Sequence, residues 1–382
     1  MACYAIDTEI LDHTGKSVRV QDLQEGDLLM GSDGSARPIS EIREVECELF
    51  KLSPVKGELT IVGEGHTLYL TYSPRKGVGV VKSSVVAKWF DSDELRVRTK
   101  FFSFENASKE IANASAHAFL KDIVEDRTVH LEVTELTTLS KTMRGHLKLS
   151  RTGLAFSRHA PPPFNPYIVG FWLGDGSAAS TEITSQDATV LKYVAETIRG
   201  YDLMLAYKGQ YSYNIRSIKP RTGSNALRNT LRTLDMLKNK HIPDIYKFGS
   251  RETRLELLAG LIDSDGHLIA GVYEITQKSL QLASDITFVG RSLGFACYMK
   301  PCTKGCTYKG EYRSGTYYRI FISGHLNEVP VLCRRKQAAV RKQIKDVLVT
   351  GLTASPMGVG KAVVISFSDA SDHVLSDFTI HG

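Results

Sequence analysis

Two kinds of apolar pattern run along the chain. In its first part, apolar positions come in short runs broken by turn residues. Thr8-Glu9-Ile10-Leu11 precedes a turn at Thr14-Gly15, and Ser17-Val18-Arg19-Val20 leads through Glu25-Gly26-Asp27 to Leu28-Leu29-Met30. Asp33-Gly34 follows as a hairpin signal. This pattern predicts a compact β domain, and residues 362–382 return to it with Val363-Val364-Ile365-Ser366-Phe367. Between these stretches the period changes. Residues 187–198 and 279–293 have helical spacing, and each is followed by strand-like runs rich in Tyr, Lys and Arg.

Two apolar runs organise the middle of the chain. One is Leu258-Ala259-Gly260-Leu261-Ile262-Asp263-Ser264-Asp265-Gly266. A looser copy lies 90 residues earlier, Ile168-Val169-Gly170-Phe171-Trp172-Leu173-Gly174-Asp175-Gly176. Aligned, Gly170 meets Gly260, Asp175 meets Asp265 and Gly176 meets Gly266. Small residues recur at i and i+4 in both copies, Gly170 with Gly174 and Gly260 with Ser264, on one helix face. There they let two backbones approach closely. The expectation is a pair of helices side by side, each ending in Asp and closed by a left-handed Gly cap. Asp175 and Asp265 then come together, and two carboxylates that close repel unless a cation lies between them. Oxygen ligands with open positions suit Mg²⁺, or Mn²⁺ in its place. The candidate ligands are Asp175, Asp265 and their neighbours Gly174 and Ser264.

With 382 residues the chain has room for more than one domain, since domains run to about 100–200 residues. Its hydrophobic (42%) and charged (24%) fractions are ordinary for a globular protein. The net charge of +6 is mild, and fits a polyanionic partner when concentrated on one face. No run of about 18 apolar residues occurs, so no membrane span is expected. The N-terminus lacks the form of a signal peptide. The six cysteines are scattered, with one close pair (Cys302, Cys306) and no His at zinc-finger spacing, and read as reduced thiols of an intracellular protein.

The run at 258–266 resembles the LAGLIDADG signature of homing endonucleases, and the run at 168–176 a divergent form of it. Lys240-His241-Ile242-Pro243 is similar to a further block of that family. The resemblance implies catalytic Asp175 and Asp265, with Lys240 as an active-site cation. It implies a symmetric Lys after the last strand, where Cys333-Arg334-Arg335-Lys336 offers Lys336, with Arg335 beside it. It also implies a saddle of two antiparallel sheets on double-stranded DNA, cut at a long asymmetric site. Alternating strand side chains would reach base edges or phosphates. The candidates are Lys208, Tyr213, Arg216, Lys219, Arg221 and Arg228, then Lys300, Lys309, Arg313, Arg319 and Arg335. Phosphodiester hydrolysis asks a site for on the order of 20 kcal/mol, which two carboxylates and a lysine do not supply without a divalent metal.

At the N-terminus, Cys3, then Asp7-Thr8-Glu9-Ile10-Leu11, then Gly15-Lys16, then the stretch from Asp22 to Gly34 resembles the opening block of an intein. The yeast vacuolar-ATPase inteins are the most similar. In that family the Cys is the first intein residue, so Met1-Ala2 would be flanking sequence. Its thiol attacks the preceding carbonyl and turns an amide into a thioester. His66 matches the assisting His, although Gly63 stands where the family carries Thr or Asn. Near the other end, 368–373 resembles the corresponding intein stretch, with His373 at its close. Inteins of this class end in His-Asn; here His381 is followed by Gly382, which has no amide to cyclise. The resemblance thus implies Cys3, His66, His373 and His381 as the splicing residues, with the C-terminal step blocked. Basic residues from Lys82 to Arg151 sit where a DNA-contacting insertion is implied at 75–155, and Pro161-Pro162-Pro163 reads as the linker onward.

The expected fold is mixed: an all-β Hint-type splicing domain, 1–155 and 340–382, interrupted by a duplicated α/β (α+β) LAGLIDADG endonuclease domain, 156–339. The expected partners are double-stranded DNA and flanking host-protein segments (exteins), with no membrane. The protein is expected to be a monomer, in cytoplasm and nucleus if from a yeast. Two alternatives stand: a free-standing domesticated endonuclease of mating-type-switching style, and a DNA-binding module with dead chemistry.

Overall fold

Strands and helices mix throughout the computed structural model, which describes all residues except 106–107, 125, 157–159, 220–223, 309–310 and 369–371. The side chains at 306–308, 311 and 313 are also outside the description. The chain divides into two compact units. One comprises Met1–Gly31, Ser35–Arg151 and Val349–Gly382; the other comprises Ser32–Gly34 and Thr152–Leu348.

The first unit is built on a ten-stranded antiparallel sheet. Its frame is two 19-residue strands, Ala36–Pro54 and Val349–Phe367, paired from Ile39↔Phe367 to Pro54↔Leu352. Ala2–Ala5 lies between Val349–Phe367 and Thr60–Gly63, which places Cys3 within the sheet. Ile380–His381 pairs with Thr67–Tyr72 through His381↔Leu68. Both ends of the chain therefore meet beside His66. The period of two is plain in Thr67–Tyr72, where Leu68, Leu70 and Tyr72 are buried and their neighbours are not.

A three-stranded sheet, Gly77–Val81, Ser84–Asp91 and Arg96–Ser103, carries the helix Lys109–Asp122 over its own small core of Val85, Ala87, Ala112, Ala116 and Leu120. This narrows the insertion expected at 75–155. Thr128–Glu132 pairs with Thr67–Tyr72, and Leu147–Ser150 pairs with both Thr67–Tyr72 and Val349–Phe367. Val129, Leu131, Leu147 and Leu149 alternate into the main core, so this later stretch belongs to the large sheet.

In the second unit, the motif runs form helices Pro166–Asp175 and Arg251–Asp265. Asn165 and Ser250 cap their N-termini by accepting from the N–H groups of Ile168 and Thr253. After each helix the same order follows. Glu182–Thr184, Ser212–Ser217 and Leu203–Gly209 form a three-stranded sheet with helix Ala188–Arg199; His267–Ile269, Val272–Gln277, Glu311–Ser323 and Ala296–Tyr308 form a four-stranded sheet with helix Leu280–Ser292. Asp187 and Ser279 are N-caps of these two helices. One core, with Phe164, Phe171, Trp172, Tyr246 and Tyr273, serves both halves.

Three sequence expectations need correction. Pro161-Pro162-Pro163 is not a linker between units: Leu154 already donates its N–H to Ser292 O, and Phe156 packs edge-on against Phe248, all within the second unit. Residues 340–348 group with the second unit, not with the first. Gly176 and Gly266 are not left-handed caps, since both have φ −85°. Glycine is required there for space instead, because a Cβ would lie 2.3 Å from Trp172 O and 2.8 Å from Ile262 Cα, respectively.

Candidate functional site

The motif helices touch backbone to backbone. A Cβ on Gly170 would lie 2.0 Å from Leu257 O, and one on Gly260 would lie 2.0 Å from Tyr167 O. Nearer the C-termini, Gly174 makes room for Ser264, whose Oγ would be 2.0 Å from a Cβ there. The same Cβ would stand 3.2 Å from Asp265 Cγ, so the two helix ends deliver their carboxylates to one place. Burial and then the Asp265 charge push Asp175 up to about 6, against the pull of Lys336 and Lys240. Burial also raises Asp265, although Gln277 Nε2 donates to its Oδ2 at 2.6 Å.

The two lysines are bound to the helix ends. Lys240 Nζ donates to the carbonyls of Leu173 (2.9 Å), Gly174 (3.1 Å) and Gly176 (2.8 Å). Lys336 Nζ donates to those of Ile262 (2.8 Å), Asp263 (2.8 Å) and Ser264 (3.2 Å). An ammonium has three donors, and all three are engaged. Each cation also sits at the negative end of a helix dipole. The sequence expectation was a pair of active-site cations; the structure shows each ammonium clasping a helix end beside the carboxylates. Lys336 holds the place equivalent to Lys240, while Arg335 is exposed. Gly174 and Ser264 each offer a carbonyl that a lysine already contacts, and Ser264 Oγ donates back to Gly260 O at 2.9 Å.

Sequence reasoning missed Gln277 and Asp263. Buried Asp263 accepts from Tyr167 Oη (2.8 Å) and from the N–H groups of Leu332 (2.6 Å) and Cys333 (3.2 Å), fixing the segment that carries Lys336. An acid inside an apolar helix was the available signal.

Among the proposed DNA contacts, Arg216, Lys219, Arg228, Lys300 and Arg335 are exposed. Lys208 is paired with Glu182, and Arg319 Nε lies 3.1 Å from Glu274. Lys300 and Arg319 are cross-strand neighbours. Tyr213 is half-buried: it alternates with Arg216, lies on the side of buried Ile215, packs against the core and meets the exposed Tyr207 ring. Arg221 and Lys309 fall outside the described residues, as does the Arg313 side chain.

In the first unit, Cys3 N–H donates to His66 Nδ1 at 3.1 Å. His66 Nε2 lies 2.7 Å from His381 Nδ1, and Tyr4 Oη lies 2.6 Å from His373 Nε2. All four side chains of these contacts are buried. Burial holds His66 well below its ordinary value and takes His381 down to about 4. Burial, then Cys47, pushes Cys3 up to about 12. The sulfur atoms of Cys3 and Cys47 are 3.9 Å apart. Gly63 is the space they occupy, since a Cβ there would lie 2.2 Å from Cys3 Sγ and 2.7 Å from Cys47 Sγ. No Thr or Asn fits beside that pair as it stands. A Cβ on Gly382 would likewise lie 1.8 Å from the Tyr69 ring.

No protein-family model matches the chain. The replicative DNA helicase DnaB of Mycobacterium intracellulare is 32% identical over 157 residues, which are 41% of this chain and 23% of the helicase. The chain thus spans under a quarter of that relative. Two solved structures of the homing endonuclease I-DmoI, in complex with DNA and Ca and with DNA and Mn, each align with 42% of this chain at 15% identity. The aligned parts cover 83% and 90% of those chains, with TM-scores of 0.29 and 0.28.

Proposed function

We propose that this chain is an intein-type element carrying a LAGLIDADG homing endonuclease, which makes a metal-dependent double-strand cut in DNA. The symmetric pairing of the two motif helices carries the reading, because it brings one carboxylate from each to a common point. Among the described residues no cluster of three or more His, Cys, Asp or Glu side chains suits a metal. Asp175 and Asp265 fit Mg²⁺, which keeps several waters and is content with one or two carboxylates. Such a cation would supply an activated water and neutralise developing charge. In the chain itself, Gln277 orients Asp265, Lys240 and Lys336 hold the helix ends, and exposed Arg216 and Lys300 meet DNA. Asp265→Asn should abolish cleavage of target DNA and keep binding; undiminished cleavage would overturn the assignment.

For the first unit we infer Hint-type splicing chemistry. The contact between His66 Nδ1 and the Cys3 nitrogen supports it, since that nitrogen must gain a proton as Cys3 Sγ takes the acyl group of Ala2. Tyr69 favours a second reading, a free-standing domesticated endonuclease. Its ring fills the place of a side chain at 382, where splicing would need an amide.

A further inference from the structure

A continuous line of hydrogen bonds leaves the amide nitrogen of Cys3 and ends on a buried carboxylate. It runs from Cys3 N to His66 Nδ1 (3.1 Å), from His66 Nε2 to His381 Nδ1 (2.7 Å), from His381 Nε2 to Thr379 Oγ1 (3.1 Å), and from Thr379 Oγ1 to Asp377 Oδ1 (2.5 Å). His66, His381, Thr379 and Asp377 are at most 4% exposed. The first donor cannot be reversed, because a backbone N–H only donates. His66 Nδ1 therefore accepts, which leaves its proton on Nε2. His381 then accepts at Nδ1 and donates from Nε2, and Thr379 accepts from it and donates to Asp377. Every tautomer is set by the one before it.

We propose that Thr379 and Asp377 are positioning residues that complete a proton relay for the acyl shift at Cys3. This rests on the splicing reading of the first unit. In the shift, the bond from Cys3 Sγ to the Ala2 carbonyl carbon forms and the Ala2–Cys3 C–N bond breaks. The thiol proton leaves sulfur and a proton arrives on nitrogen. An imidazolium at His66 is disfavoured, because burial, His381, His373 and the amino terminus all oppose charge there. The relay avoids it. As His66 Nδ1 takes the thiol proton, its Nε2 proton passes to His381 Nδ1, the His381 Nε2 proton to Thr379, and the Thr379 proton to Asp377. Both rings stay neutral, and the negative charge of the carboxylate is exchanged for that of the attacking sulfur. When His66 gives its Nδ1 proton to the leaving nitrogen, the protons step back and Asp377 is ionised again. Nothing is consumed. The other titratable neighbours are Tyr4, which packs edge-on against His66 and feels Asp377, Cys47 beside Cys3, and Glu64, whose charge opposes ionisation of the Cys3 thiol.

The bland role for the pair is a local turn, in which Asp377 Oδ1 accepts the Thr379 N–H at 3.0 Å. The two roles separate experimentally. The full chain is treated with dithiothreitol, and loss of Met1-Ala2 is followed by intact mass. Thr379→Val and Asp377→Asn should slow the loss at neutral pH roughly 10- to 100-fold, within the reach of general acid–base catalysis. The deficit should narrow as pH rises and Cys3 ionises unaided, and Thr379→Ser should restore the rate. In the unmutated chain, rates in H₂O–D₂O mixtures should bow as several protons move together. Wild-type rates in both variants, equal slowing at every pH, or a straight proton inventory would overturn the relay. If the unmutated chain never loses Met1-Ala2, the splicing reading fails first, and the relay with it.

Discussion

Lys240 and Lys336 hold equivalent places in the two halves of the second unit. Each Nζ closes the last turn of the helix whose aspartate faces the other helix. The ammonium is compact enough to meet three carbonyls that converge on one point, and a planar guanidinium is not. Lys240→Met should remove those bonds and leave buried carbonyls unpaired, at a cost of about 1–3 kcal/mol. The melting temperature and DNA cleavage should fall together, and Lys240→Arg should not rescue either. Lost cleavage with an unchanged melting temperature would place the ammonium at the phosphate instead.

The carboxylate pair should make metal binding pH-dependent. The Asp175 pKa is raised from 3.8 to about 6 in the folded state, so it holds a proton there that it would lose in the unfolded chain. Its ionisation therefore opposes folding: the metal-free protein should lose stability as pH rises between these two values. A divalent cation should reverse the trend. Calorimetric titration with Mn²⁺ near pH 6 should show proton release, and affinity should drop as pH falls below it. An affinity independent of pH from about 5 to about 8, on both sides of the shifted value, would remove Asp175 from the ligand set.

The helix contact tolerates no side chain. Gly260→Ala puts a methyl 2.0 Å from Tyr167 O, which is backbone and cannot turn aside. The helix propensity gained, about 1 kcal/mol, is outweighed by overpacking of about 1–3 kcal/mol or more. Melting should fall and cleavage be lost. Gly145 is the control: it lies in the helix Lys141–His146 with nothing within 4 Å of a Cβ, so Gly145→Ala should stabilise by about 0.5–1 kcal/mol.

Repair of the C-terminal splicing step should need two changes. Gly382→Asn ahead of a Cys-initiated partner must displace the Tyr69 ring, so that variant should ligate poorly. Gly382→Asn with Tyr69→Ser should ligate better, as judged by mass of the joined product. Equal ligation by both would show that the ring moves freely. If neither ligates while thiol still cleaves at Cys3, the domesticated-endonuclease reading becomes the stronger one.

What could be read from sequence was whatever repeats or sits close along the chain. The motif copies contain both glycines and both aspartates, so the helix pair and its carboxylates were legible. The helices Ala188–Arg199 and Leu280–Ser292 were legible for the same local reason, from their spacing. The lysine contacts were not, because Lys240 reaches carbonyls 64 to 67 residues away. Cys47 beside Cys3, and Asp377 at the end of the His66 line, are likewise neighbours only through sheet pairing. Tyr213 shows a different limit: composition supplies an aromatic beside Arg216, but only strand register says that the two face opposite ways. Gly63 read as a departure from the family's Thr or Asn, and its lack of a side chain leaves room for two sulfur atoms.

The contact between the motif helices maps onto itself. Gly170 faces the carbonyl of Leu257 and Gly260 faces that of Tyr167, in each case three residues before the glycine of the opposing helix. At these two glycines the joint is that of a two-fold dimer, and one turn further on Gly174 against Ser264 breaks the symmetry. A change away from the seam leaves it intact, provided that each half keeps its glycine in register. Sheets on the two sides are then free to diverge independently.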